Sequence, residues 1–163
     1  MTATDASATR RNPAELIADG VERTLELAST WVAWDGRPRP TEDGTRLYTP
    51  NKVIRRQADH LIDHLAEVEA LLAGRPTEAD HWHASAVTLG SDMAEFTEAD
   101  LNEARERLRR LARSFVLRYE VAGAGAWDQP REPNWSLREI AEHLSDAWYA
   151  EQVGDLREAQ SSR

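Results

Sequence analysis

The sequence predicts an all-α fold, a four-helix bundle with long connecting loops. Four stretches, at residues 13–34, 50–73, 98–121 and 137–156, repeat apolar residues every three or four positions, the spacing of one helix face. Residues typical of helix ends bracket each stretch. No segment has a convincing strand pattern, so four helices of similar length that pack their apolar stripes together are the expected architecture.

The first predicted helix spans residues 13–34. Asn12 is a suitable N-cap, Pro13 suits the first helical position, and Glu15 completes a capping box. Its apolar stripe consists of Ile17, Val21, Leu25, Ala28, Trp31 and Val32. The glycine and two prolines of segment 35–40 end the helix.

The second predicted helix spans residues 50–73, with Thr49 as its cap and Pro50 at its first position. Gly74 and Pro76 end it. A strict alternation of three and four separates its apolar residues, which are Ile54, Ala58, Leu61, Leu65, Val68 and Leu72. This spacing is typical of helices packed in a bundle.

The third predicted helix, residues 98–121, begins with a capping-box variant of Thr97 and Asp100 and ends before Gly123. Its stripe consists of Leu101, Ala104, Leu108, Leu111, Phe115 and Tyr119. The fourth, residues 137–156, has a full capping box of Ser136 and Glu139. Trp135 can pack on Ile140 as a hydrophobic staple, and the inward residues are Leu137, Ile140, Ala141, Leu144, Ala147 and Trp148.

The remaining segments are connections and tails. The connection from Arg75 to Phe96 is longer than most loops, which indicates local structure or a function. Asp43-Gly44 is a turn signal that can close a small hairpin. We expect a disordered tail at 1–11, one bundle domain at 12–158 and a C-terminal tail at 159–163.

The composition argues against several partners. A net charge of −9 opposes nonspecific binding to nucleic acid or to an anionic membrane. An arginine cluster at residues 105–113 is interrupted by glutamates and reads as a solvated helix face. The chain has no cysteine, which excludes disulfides, thiolate ligands and a cysteine nucleophile. No secretory signal or membrane span is evident, so we expect a cytoplasmic protein.

His60 and His64 are the strongest candidates for chemistry. Four residues apart on a helix, they stack on one face, where two imidazoles can hold one divalent metal ion. The angular position of His64 is at the edge of the apolar stripe, beside Val53, Gln57 and Leu71, and His60 lies slightly further round. The alternative is an exposed pair among acidic residues that binds nothing.

Three other histidines are weaker candidates. His143 lies at the edge of the fourth stripe and is the natural third ligand, provided that the second and fourth helices are neighbours. His81 and His83 flank Trp82 in the long connection. They can bind metal, or they can be incidental neighbours of a tryptophan that anchors the loop. The other tryptophans fill the core by default, or line a pocket at the end of the bundle.

Two segments resemble the DinB-like (DNA-damage-inducible) superfamily of four-helix bundles. Residues 135–144, WSLREIAEHL, followed by Trp148-Tyr149, resemble that family's second helix, in which a histidine is the first metal ligand. Residues 54–74, which contain His60-Leu61-Ile62-Asp63-His64, resemble its last helix, where an H-x-x-x-H pair supplies two more ligands. The order is reversed here, which implies a circular permutation of the bundle.

The resemblance implies a metal site of His60, His64 and His143 for zinc, nickel or a similar ion. It also implies a homodimer and a transferase or isomerase that acts on small molecules with a low-molecular-weight thiol such as mycothiol or bacillithiol. That thiol must be a cosubstrate, since the chain has no cysteine. Candidate residues to orient the ligands are Asp59, Asp63, Glu142 and Asp146. The alternative function is a non-catalytic helical module that binds a ligand or a protein, with a stress-related role.

Overall fold

A computed structural model describes residues 11–79 and 83–157 of the chain, and they are mostly helical. The helices are α1 (Ala14–Ala28), α2 (Pro50–Leu72), α3 (His83–Ala86), α4 (Glu98–Ala122), α5 (Ala124–Trp127), α6 (Leu137–Leu144) and α7 (Trp148–Val153). Short 3₁₀ turns lie at Trp31–Ala33 and Gly90–Met93, and two strands, β1 (Arg39–Pro40) and β2 (Leu47–Tyr48), form a small sheet. His81, Trp82 and the predicted tails, apart from Arg11, lie outside the described residues.

The start of α1 is held by Asn12, but not as a capping box. Asn12 Oδ1 accepts a hydrogen bond from the Ala14 N–H at 2.9 Å, and Asn12 Nδ2 donates to the Val116 carbonyl at 3.1 Å. Glu15 forms an ion pair with Arg11 instead of returning to the helix start. The predicted capping box is therefore wrong, because a guanidinium offers the carboxylate a charged donor.

The predicted caps of α2 and α4 are confirmed. Thr49 Oγ1 accepts from the Lys52 N–H at 3.2 Å. Thr97 and Asp100 exchange the two hydrogen bonds of a capping box. These bonds satisfy N–H groups that have no partner inside the helix, and they fix where each helix begins.

The last predicted helix is broken. Its capping box of Ser136 and Glu139 is confirmed, but the helix ends at Leu144 and resumes at Trp148 as α7. A Cβ atom at Gly20 of α1 would lie 2.4 Å from the Ser145 carbonyl oxygen, so the two backbones are in direct contact at the break. The prediction of one helix from 137 to 156 fails because this contact is tertiary and leaves no periodic signal in the sequence.

The segment after α7 is fastened to the turn that follows α1. Trp31 Nε1 donates to the Gly154 carbonyl at 2.8 Å, and the Leu156 N–H donates to Thr30 Oγ1 at 3.1 Å. The predicted first helix is also shorter than expected, since α1 ends at Ala28 and only a 3₁₀ turn follows. Val32, expected in the core, is therefore 38% exposed.

Helix α2 packs against α4, α6 and α7, and α1 packs against α4, α6 and α7. Most residues of the four predicted stripes are buried between these helices, and Trp148, at 39% exposed, is an exception besides Val32.

In the predicted arginine cluster, Arg109 forms an ion pair with Glu22 at 2.7 Å on the exposed surface. No helix of the described ranges is both long and apolar enough to cross a bilayer.

The hairpin signal is confirmed. Strands β1 and β2 pair antiparallel, with Arg39 opposite Tyr48. Gly44 in the turn between them has a φ of +67°, a conformation that favours glycine because a Cβ atom would clash.

Polar side chains of α2 hold the long connection. Arg55 donates two hydrogen bonds to the carboxylate of Asp92, at 3.0 and 2.7 Å. Arg56 Nε donates to Ser85 Oγ at 2.9 Å, and the buried Lys52 amine donates to Thr88 Oγ1 at 3.1 Å. The connection is thus locally structured, as its length indicates, and α2 donates hydrogen bonds to three of its side chains.

The close contact at Gly20 leads to a first expectation. Gly20→Ala should lower the free energy of unfolding by about 1–3 kcal/mol, because the added methyl group must displace the backbone at Ser145. Gly125→Ala is the matched control, since nothing lies within 4 Å of its added Cβ. Urea unfolding of both variants measures the difference. A Gly20→Ala protein as stable as the native one would contradict the contact.

The Arg55–Asp92 pair leads to a second expectation. Burial raises the pKa of Asp92, but hydrogen bonds from Arg55 and from the Leu89 N–H outweigh it and leave this pKa below its usual value. A carboxyl whose pKa is lower in the folded protein than in the unfolded chain stabilises the fold at any pH above the unfolded pKa of about 4. This contribution is lost as the pH falls through the pKa of the folded protein.

Asp92→Asn should therefore cost about 2–3 kcal/mol at neutral pH, since Arg55 loses its charged partner. The difference from the native protein should shrink as the pH is lowered below about 4, as measured by urea unfolding. Glu95→Gln, an exposed carboxyl in the same connection, is the control. A difference that does not change with pH would contradict the role of the ionised pair.

Candidate metal centre

Three histidines from two helices converge at the contact between α2 and α6. His60 and His64 lie one turn apart on α2, and His143 lies in the last turn of α6. One nitrogen of each ring lies within 4.8 Å of the corresponding nitrogens of the other two. The ring centroids are 4.8, 4.9 and 5.1 Å apart. The second and fourth predicted helices are therefore neighbours with their histidine faces together.

The two histidines of α2 are buried more deeply than their position on the stripe's edge predicts. His60 is 7% and His64 is 4% exposed, and their neighbours Val53, Gln57 and Leu71 are buried as well. The alternative of an exposed pair is therefore wrong. His143 is exposed, so the cluster has a buried side and a side that opens to solvent.

Glu67 fixes the orientation of His64. Its Oε2 lies 2.6 Å from His64 Nδ1, one turn further along α2. A carboxylate accepts at this distance, so Nδ1 carries a proton, and in the neutral tautomer of this ring Nε2 is the nitrogen with the free lone pair. His64 Nε2 is buried and has no hydrogen-bond partner among the described residues. A carboxylate that holds the opposite nitrogen is the usual companion of a metal-binding histidine.

Sequence reasoning missed this role of Glu67. Of the acidic residues expected to orient the ligands, Asp59 instead accepts a hydrogen bond from Arg56 at 3.1 Å. Glu142 and Asp146 are exposed. The spacing of three residues between His64 and Glu67 places both on one face of α2, and it could have revealed this contact.

The environment of His60 favours a neutral ring. Burial, together with the smaller effects of the neighbouring His64, His143 and Arg56, lowers the pKa of His60 to about 3. A neutral imidazole has the lone pair that a metal ion needs, so this ring requires no deprotonation before it binds one.

Two aromatic side chains frame the cluster. The Trp135 ring stacks on His64, with centroids 6.4 Å apart, and its edge meets His143 at 5.0 Å. Tyr149 meets His60 edge-on at 5.7 Å. Trp135 was expected as a staple on Ile140, but it is 45% exposed and lies against the histidines. The sequence places Tyr149 only in the segment that resembles the DinB-like family and does not predict its contact with His60.

An open cavity of about 350 Å³ adjoins the cluster. His64, His143 and Trp135 form one wall, and Glu67 lies beside them. His83 begins α3, is exposed, and does not belong to the cluster. His81, the other histidine expected in the long connection, lies outside the described residues.

The donor set fits a divalent transition metal ion. Three imidazole nitrogens at about 2.0–2.1 Å, with one position left open, are a common arrangement for zinc, and nitrogens bound so would lie about 3.3 Å apart. The present separations are at most 4.8 Å, so the rings would have to move closer together to bind one ion. The buried, unsatisfied Nε2 of His64 is the observation that most favours a missing ligand. Imidazole does not distinguish zinc from nickel, copper or iron.

No protein-family model, curated protein or solved structure matches this chain.

The hydrogen bond between His64 and Glu67 leads to a third expectation. Glu67→Ala should weaken zinc binding by about tenfold to a hundredfold, because the His64 ring loses the group that fixes its tautomer and orientation. Competition with a chromophoric chelator measures the affinity.

Glu69→Ala is the matched control on the same helix, since Glu69 pairs with Arg118 and takes no part in the cluster. Equal losses of affinity in the two variants would indicate a general effect of charge and contradict an orienting role for Glu67.

Proposed function

We propose that this chain is a metal-binding protein of the DinB-like type, in which His60, His64 and His143 bind one divalent ion. The observation that carries the proposal is the convergence of these three side chains from α2 and α6. The resemblance to the DinB-like family requires the three histidines to lie together. The spacing of the histidines in the sequence does not by itself require it.

The proposed family assignment includes a circular permutation. Helices α4 and α6–α7 would correspond to the family's first two helices, and α1 and α2 to its last two. In support of this order, α1 packs on α4 and α2 packs on α6 and α7, so the helix that carries the histidine pair lies beside the helix that begins with Trp135-Ser136.

We further propose a transferase or isomerase reaction in which an external thiol acts on a small molecule. A divalent ion at the site would lower the pKa of a bound thiol or water. The chain's own residues hold the ligands: Glu67 keeps the Nδ1 proton of His64, and Trp135 and Tyr149 pack against the rings. With no cysteine in the chain, the thiol must enter from solvent.

A fourth expectation tests the site itself. Protein purified without a histidine tag should bind about one equivalent of zinc or nickel, since three imidazoles make one site. His60→Ala, His64→Ala and His143→Ala should each abolish stoichiometric binding, as measured by elemental analysis after dialysis.

His83→Ala is the control, because His83 lies on α3 outside the cluster. Loss of metal in this variant as well, or native protein that binds none, would contradict the proposed centre. A metal-loaded protein with no activity toward electrophiles in the presence of any thiol would instead favour the non-catalytic module.

A further inference from the structure

The cluster can be approached from one side. His60 is 7% exposed and is covered by Tyr149, whose ring also lies under the Arg56 guanidinium at 5.8 Å. His64 and His143 line the 350 Å³ cavity, and His60 is not among its lining residues. A ligand that reaches an ion held by the three rings therefore arrives through this cavity.

The cavity has an aromatic wall and an acidic wall. Trp135 is 45% exposed and presents its ring beside His143. Glu67 and Glu78 line the same space, and no lysine or arginine does so among the described residues. The space therefore carries two carboxylates with no cationic side chain in its lining.

Two of the segments that line the cavity are joined by a hydrogen bond. Thr77 Oγ1 donates to Asn134 Oδ1 at 3.0 Å, which joins the segment after α2 to the segment before α6. Both residues line the cavity. Because Thr77 immediately precedes Glu78, this bond anchors the backbone next to the second carboxylate.

This charge distribution selects among small ligands. Two carboxylates repel an anionic group and attract a cationic one, most strongly at low salt. The exposed face of Trp135 adds a favourable site for an ammonium group. A ligand whose donor atom reaches the metal ion would thus be favoured if its other end were cationic.

We infer that the site binds small thiols that carry an ammonium group, with the sulfur at the metal ion and the ammonium group near Glu78 and Trp135. This inference rests on the proposed function. It adds the charge of the cosubstrate, which the resemblance leaves open, and it assigns Glu78 as a residue that determines specificity.

The test uses two thiols of similar size and opposite charge. The full-length protein is loaded with Co²⁺, and the thiolate-to-cobalt absorption band is titrated with cysteamine and with 3-mercaptopropionate at neutral pH and low salt. The ratio of the two affinities is compared between native protein and Glu78→Gln, because the thiols' own acidities cancel in that comparison. Glu120→Gln, an exposed carboxyl on α4, is the matched control.

The preference for cysteamine should fall about threefold to fivefold in Glu78→Gln and stay unchanged in Glu120→Gln. It should also fall in high salt, because the carboxylate is screened. A preference unaffected by Glu78→Gln overturns this inference and leaves the proposed function standing. If Co²⁺ does not bind, or if it binds and neither thiol produces the band, the proposed thiol chemistry fails and this inference fails with it.

Discussion

The structure depends on a backbone contact between α1 and the end of α6. Gly20 has no side chain, so the Ser145 carbonyl lies where a Cβ atom would otherwise be. Hydrogen bonds from Trp31 to Gly154 and from Leu156 to Thr30 fasten the segment that follows. The chain from α6 to α7 is thereby held between α1 and α2, and His143, two residues before the break, is held beside the histidines of α2.

Polar groups on α2 divide into two regions along its length. The N-terminal half carries Lys52, Arg55 and Arg56, which satisfy the polar groups of the long connection and are themselves paired there. The next turns carry His60, His64 and Glu67, whose bonds leave the Nε2 of His64 buried without a hydrogen-bond partner in the described chain. Buried polar groups are normally satisfied, so the buried Nε2 of His64 is consistent with a cluster that could hold a metal ion.

Local signals in the sequence predicted much of this arrangement. The caps at Thr49, Thr97 and Ser136 depend on residues within three positions of one another, and all three are confirmed. The break after α6 was missed because it depends on Gly20, which is distant in sequence. The spacing of four residues between His60 and His64 predicts that both lie on one face of α2. Their proximity to His143 depends on how α2 and α6 pack, which the sequence does not show. The contact of Glu67 with His64 was missed, although their spacing of three residues places both on that face.

We propose above all that the three histidines bind one ion together. Crystals of the zinc-loaded protein measured at the zinc absorption edge test it directly. We expect a single strong anomalous peak about 2.0–2.1 Å from one nitrogen each of His60, His64 and His143. Glu67 should still be bonded to the other ring nitrogen of His64. A peak at exposed carboxylates or at His83, with the three rings left empty, would contradict it.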